Sequence, residues 1–324
     1  MFSSLFRLRV MSLVLVVVLI PALLFTGFLV RASQANHQHT TTAYRLQTVT
    51  YCSPDNIPQL MDIYTPLYIP GNRPMPVVEM VHGGGWTGGS KATIDTLEPI
   101  PEIATVMHGL LARGFIVTAV NYRLAPQYKF PANIEDVKCS IRYLRAHSAQ
   151  YHLDPNRIGL MGSSAGGHLV SLAGLADPRA GWDVGEYTDK SSAVQAVIDM
   201  FGPEYIASGI GDHAIGSPAI FGSDPDELHL ASPPHYIARA PATDPPFLIL
   251  QGDHDRTVPP YHTLRFYNEL LDAGQPAILQ MVQNAGHEFE PYPTGTAIIP
   301  SPDQLSGMMV QFFVKYLMSG TPIT

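Results

Sequence analysis

Hydrophobic positions fall into two regimes along this chain. Val10–Val30 is one uninterrupted span of 21 residues without a charge, bracketed by Arg7, Arg9 and Arg31. About 20 apolar residues suffice to cross a bilayer as a helix, and early arginines favour a cytoplasmic amino terminus. Residues 1–31 therefore read as an uncleaved signal-anchor. The competing reading is a cleavable signal peptide, since Ser33-Gln34-Ala35 offers small residues to a peptidase. Residues 32–43 are polar and aperiodic and read as a tether between membrane and domain.

From Tyr44 onward the pattern changes to short apolar runs alternating with amphipathic stretches. Tyr44–Tyr51 and Gln59–Tyr64 predict an antiparallel pair of strands. Met75–Val81, Phe115–Asn121, Ile158–Met161, Ala193–Met200, Pro246–Gln251 and Ala277–Val282 predict further strands. Helical spacing occupies Ile103–Arg113, Ile134–Ser148, Ala165–Leu175, Tyr261–Ala273 and Gln304–Met318. Strands alternating with helices of this length predict an α/β domain over 44–324, with a mostly parallel central sheet flanked by helices. Ligands of such sheets bind at the carboxyl ends of the strands.

The candidate chemistry sits at those ends. Gly162-Ser163-Ser164-Ala165-Gly166 follows a strand and opens a helix, the setting of a nucleophile elbow. Ser164 is the candidate nucleophile and Ser163 the spacer. His82-Gly83-Gly84-Gly85-Trp86 follows the Met75–Val81 strand, and glycines there can turn backbone N–H groups toward one point. The N–H groups of Gly84, Gly85 and Ala165 are the candidate oxyanion hole. His82 reads as a group that pins the turn. After the Pro246–Gln251 strand come two aspartates. Asp255 fits a G-x-x-D-x-x-V-P pattern and is the preferred acid, with Asp253 the fallback. His287, in a loop after the last strand, is the candidate base. His168 is its rival, one turn into the elbow helix, and reads as structural. The order Ser164, Asp255, His287 is the order of α/β-hydrolases.

With these motifs the chain resembles the α/β-hydrolase esterases of the HGGG type, the hormone-sensitive-lipase-like carboxylesterases. It looks closest to the bacterial branch that includes dual acetylxylan/feruloyl esterases. The matching segments also include Tyr122–Pro126, Phe130–Ala132, Asp136–Lys138, Asp154–Ile158, Phe201–Pro203 and Asp244–Pro259. The resemblance implies an α/β-hydrolase fold with residues 201–243 as a small cap. It also implies that Arg123 and Asp136 pair below the site. Glu79 departs from the family, which carries an apolar residue there, and an unpaired buried carboxylate is costly.

The implied reaction is hydrolysis of a carboxylic ester, short-chain or carbohydrate-linked, through an acyl-enzyme that needs no metal or organic cofactor. A serine peptidase of the same fold and a non-catalytic binding protein on a hydrolase scaffold are the alternatives. A net charge of −8 supplies no basic field for nucleic acid. Two cysteines cannot hold a structural zinc by themselves. Export would permit a Cys52–Cys139 disulfide, but Cys139 lies in the apolar phase of its helix and reads as a small core residue. Trp86 could wall an aromatic or sugar group, and Trp182 and Tyr187 of the 177–190 insert could line the entrance.

Overall fold

The computed structural model describes residues 43–67, 73–95, 101–207, 216–237 and 244–318. The expected anchor and all but the last residue of the tether lie outside them. Among the described residues no helix is long and apolar enough to cross a membrane.

Eight strands form one sheet: β1 Tyr44–Cys52, β2 Gln59–Pro66, β3 Met75–Val81, β4 Ile116–Val120, β5 Leu153–Ser163, β6 Ala196–Met200, β7 Phe247–Gly252 and β8 Ala277–Val282. Their order is β1-β2-β4-β3-β5-β6-β7-β8. β1 pairs antiparallel with β2, and β2 antiparallel with β4; the remaining pairs are parallel. Every residue of β3, β4, β6 and β7 is buried, as strands covered on both faces must be.

The larger helices are α1 Pro101–Leu111, α2 Ala132–Ala146, α4 Ala165–Leu175, α7 Pro260–Asp272 and α8 Pro302–Phe313. A single turn, α3 Ser148–Tyr151, follows α2, and α5 Pro218–Phe221 and α6 Pro225–Leu230 lie between β6 and β7. One apolar cluster joins the sheet to α2, α4 and α7, and a second joins it to α1 and α8. The chain leaves β3 for β4 on one side and returns to β5 on the other. The β3/β5 carboxyl ends are thus the switch point where α/β sheets open a crevice.

Two expectations are corrected. Cys139 is buried as expected, but it is bonded to Cys52. The helical phase that turns Cys139 inward also brings it to the end of β1, a proximity that periodicity cannot register. Closing an 87-residue separation stabilises the fold by about 4–5 kcal/mol on the chain-entropy account. The 177–190 insert does not line an entrance. Trp182 is buried against Phe130 and Tyr236, and Tyr187 packs on Tyr143 and His147. Asp183 of the same insert is held by Arg142 at 2.8 Å and Lys138 at 3.3 Å, both on α2.

Glu79 is fully buried in β3 and pairs with no basic side chain among the described residues. Ser140 Oγ lies 2.6 Å from Glu79 Oε1 and 2.7 Å from the Val137 carbonyl. A hydroxyl has one hydrogen, so both contacts are satisfied when Glu79 is protonated and donates to Ser140, which donates to Val137. Burial raises the Glu79 carboxyl from its ordinary 4.5 to about 8. Between those values the unfolded chain has released the proton and the native state keeps it. The contribution of Glu79 to stability therefore falls as pH rises from about 4.5, and the fall ends above about 8. Glu79→Gln is expected to remove this contribution, so that its stability relative to the wild type rises by roughly 3–4 kcal/mol from pH 5 to pH 8. Denaturant titrations of both proteins at pH 5 and pH 8 check it; parallel pH dependences would refute the assignment.

Candidate active site

Three loops at the carboxyl ends of β5, β7 and β8 bring the expected residues together. Ser164 stands between β5 and α4 with φ 52° and ψ −118°, a left-handed conformation that a non-glycine residue holds only when its surroundings impose it. Those surroundings are tight. A Cβ on Gly162 would sit 2.3 Å from the Gly166 carbonyl oxygen, and one on Gly166 would sit 2.1 Å from that of Val81. The elbow therefore needs glycine at both positions for close approach. The Ser164 N–H donates to the Met200 carbonyl at 2.9 Å, fastening the turn to β6.

Ser164 Oγ lies 2.9 Å from His287 Nε2, and His287 Nδ1 lies 2.8 Å from Asp255 Oδ2. Asp255 is almost wholly buried and its side chain accepts three further bonds: the N–H groups of Thr257 and Val258 at 2.8 Å each, and Gln251 Nε2 at 2.9 Å. Asp253, the fallback acid, is engaged elsewhere. Its Oδ1 contacts His254 Nδ1 at 2.7 Å and accepts from the Ala285 N–H at 3.2 Å. It ties the Asp255 loop to the loop that carries His287.

The glycine loop lies against the serine. Gly83, Gly84 and Gly85 line a cavity of about 390 Å³ together with Ser164 and His287, and Ala165 is the first residue of α4. Gly84 has φ 110°, open to glycine at little cost, and its carbonyl accepts from Thr87 and Gly88. Gly83, absent from the expected oxyanion set, packs closest: a Cβ there would stand 3.4 Å from Ser164 Cβ.

The remaining histidines of these motifs are structural. His82 stacks on Tyr122 at 4.3 Å, and its Nδ1 lies 2.7 Å from the Gly83 carbonyl. His168 Nδ1 accepts from Trp86 Nε1 at 3.2 Å, so its Nε2–H donates to the Ala231 carbonyl at 2.7 Å. Burial lowers both imidazoles to about 4, which keeps them neutral at physiological pH. Trp86 is buried between His168 and Phe221 and walls no ligand space, contrary to expectation. The Arg123–Asp136 pair is present, with Arg123 Nε 3.0 Å from both carboxylate oxygens.

Sequence reasoning missed two supports. Gln251, buried at the end of β7, donates to Asp255 and accepts from Thr263 Oγ1 at 2.8 Å. Its signal was a lone amide directly after the apolar run Phe247–Leu250. Phe201 packs its ring 4.8 Å from that of His287 and holds φ 44° just after β6.

The BD-FAE family model matches residues 61–270, and the chain belongs to that family. It is 31% identical to the esterase LipC of Mycobacterium tuberculosis over 249 residues, 73% of this chain and 58% of that protein. Identity to the esterase LipQ of the same organism is 30%, over 78% of this chain and 59% of LipQ. The chain thus spans under two thirds of the length of these curated relatives. Among solved structures, a truncated carbohydrate esterase from gut microbiota superposes with a TM-score of 0.68 at 28% identity, covering 85% of this chain and 97% of that one. Butyrate-bound esterase 2 of Thermogutta terrifontis superposes with a TM-score of 0.66 at 25% identity, covering 88% of this chain and 98% of that one. The α/β-hydrolase fold expected from the motifs is the fold these neighbours share.

Proposed function

We propose that the chain is a serine esterase that hydrolyses carboxylic esters through Ser164, His287 and Asp255. The observation that carries this reading is the unbroken series of contacts from Ser164 Oγ through the imidazole to a buried carboxylate. Ser164 Oγ attacks the ester carbonyl carbon and gives its proton to His287 Nε2. The carbonyl electron pair moves onto oxygen, which the N–H groups of Gly84, Gly85 and Ala165 receive. Collapse expels the alcohol oxygen, which takes the proton from His287. Water then attacks the acyl-enzyme, its proton passing to His287 and on to Ser164 as the acid leaves. Asp255 holds the proton of His287 on Nδ1 and offsets the positive charge that forms on the ring.

The likeness to a gut carbohydrate esterase supports a carbohydrate-linked ester as substrate. Residues 201–243 act as a small cap. In support, Phe221 of α5 packs on Trp86, and the Ala231 carbonyl accepts from His168. The domain works outside the cytoplasm, held to the membrane through Val10–Val30. The Cys52–Cys139 bond supports an oxidising compartment.

A p-nitrophenyl ester set beside a peptide p-nitroanilide tests the reaction class. The ester is expected to turn over at least about 100-fold faster than the anilide, because the alkoxide leaves without the nitrogen protonation an amide requires. Faster cleavage of the anilide would make the protein a peptidase.

A further inference from the structure

The space beside Ser164 extends beneath the nucleophile along one face of the sheet. Side chains alternate along a strand, so alternate residues near each carboxyl end face the α1/α8 layer. On β3, β4, β5 and β6 those residues are Met80, Ala119, Met161 and Met200, all members of the apolar cluster on that face. All four line the cavity, with Phe201 and Ile103 of α1 beside them, while Lys91, Thr93, Ser163, Thr257 and Glu288 supply its polar lining. None of the six apolar side chains offers a strong hydrogen-bonding group. Three are methionine, an unbranched and polarisable side chain that moulds itself to flexible apolar ligands.

Size is the second observation. A cavity of about 150 Å³ accommodates benzene, six carbon atoms. The present cavity, about 390 Å³, is more than twice that. An acetyl group on Ser164 leaves most of it unfilled.

We propose that this methionine-floored space is an acyl pocket for a linear, saturated chain of about six to ten carbons. The inference rests on the esterase reading and extends its substrate on the acyl side. The chain lies over Met80, Met161 and Met200 while the ester carbonyl stands at Ser164.

The test is a series of p-nitrophenyl esters from acetate to dodecanoate, with a hydroxycinnamoyl ester beside them, hydrolysed by the wild-type chain. kcat/KM is expected to rise by roughly threefold per methylene over the first additions, and by at least about tenfold from acetate to octanoate. Ala119→Leu projects new atoms into the floor and is expected to lower the octanoate-to-acetate ratio by about tenfold. Met161→Ala deepens the floor and is expected to raise dodecanoate relative to octanoate. The wild-type series decides even where a floor variant does not fold. An optimum at acetate, or a hydroxycinnamoyl ester preferred to octanoate, overturns the proposal and leaves the esterase reading standing. Hydrolysis of no ester at all overturns both.

Discussion

Ser164→Ala is expected to lower turnover of an activated ester by at least about 10⁴-fold while the protein stays folded. The reasoning is local. Ser164 Oγ is the atom that His287 Nε2 contacts at 2.9 Å, and among the described residues no other hydroxyl bonds that imidazole nitrogen. Ser163, the neighbouring serine, belongs to the end of β5, and His287 Nε2 contacts Ser164. The variant keeps the Ser164 backbone bond to Met200 and the glycine contacts that force the turn, since neither uses the hydroxyl. The hydroxyl is only partly buried, so its loss changes stability within about 1 kcal/mol. Thermal denaturation beside the rate assay separates the two effects. Activity retained in a folded variant would remove Ser164 from the mechanism.

Asp255→Asn should cost nearly as much, roughly 10⁴-fold in kcat, for a different reason. All four neighbours of this carboxylate are N–H donors: Thr257, Val258, Gln251 and His287. An amide has one accepting oxygen. With that oxygen toward the two backbone N–H groups, its NH₂ faces His287 Nδ1 and Gln251. His287 then accepts at Nδ1 and carries its proton on Nε2, where it can no longer take one from Ser164. With the amide reversed, NH₂ opposes two backbone donors, and the loop from Asp255 to Val258 must move. The check is the pair of kinetic constants: kcat falls steeply and KM changes little, because Asp255 touches no substrate. Asp253→Asn, at the other acid, leaves the His287 contact in place and is expected to reduce kcat by less than about tenfold. A reversed ranking of the two variants would reassign the acid.

The parts of this site that were legible in the sequence are those encoded within a few residues. The strand–turn–helix context of Ser164, the glycine run after β3 and the Asp255 loop each declare themselves locally, because strained turns and close approaches restrict which residues can stand there. The helix Ala165–Leu175 and the strand Ala277–Val282 have the bounds their patterns predict. What the sequence did not disclose depends on distance. Cys52 meets Cys139 across 87 residues, and Glu79 meets Ser140 across 61. No periodicity in either segment encodes its partner. Trp86 reads as a wall for an aromatic or sugar group, yet Phe221 and His168 enclose it from distant parts of the chain. The two short helices α5 and α6, of four and six residues, are too brief to carry a helical period. The acyl pocket belongs to the same class, since its floor exists only once β3, β4, β5 and β6 lie side by side.

The most direct measurement of the central claim is mass spectrometry after exposure to a serine-directed fluorophosphonate. The account predicts one adduct per chain, mapped to the peptide holding Ser164, and none on folded Ser164→Ala. An unlabelled wild-type chain, or an adduct on another serine, would contradict it.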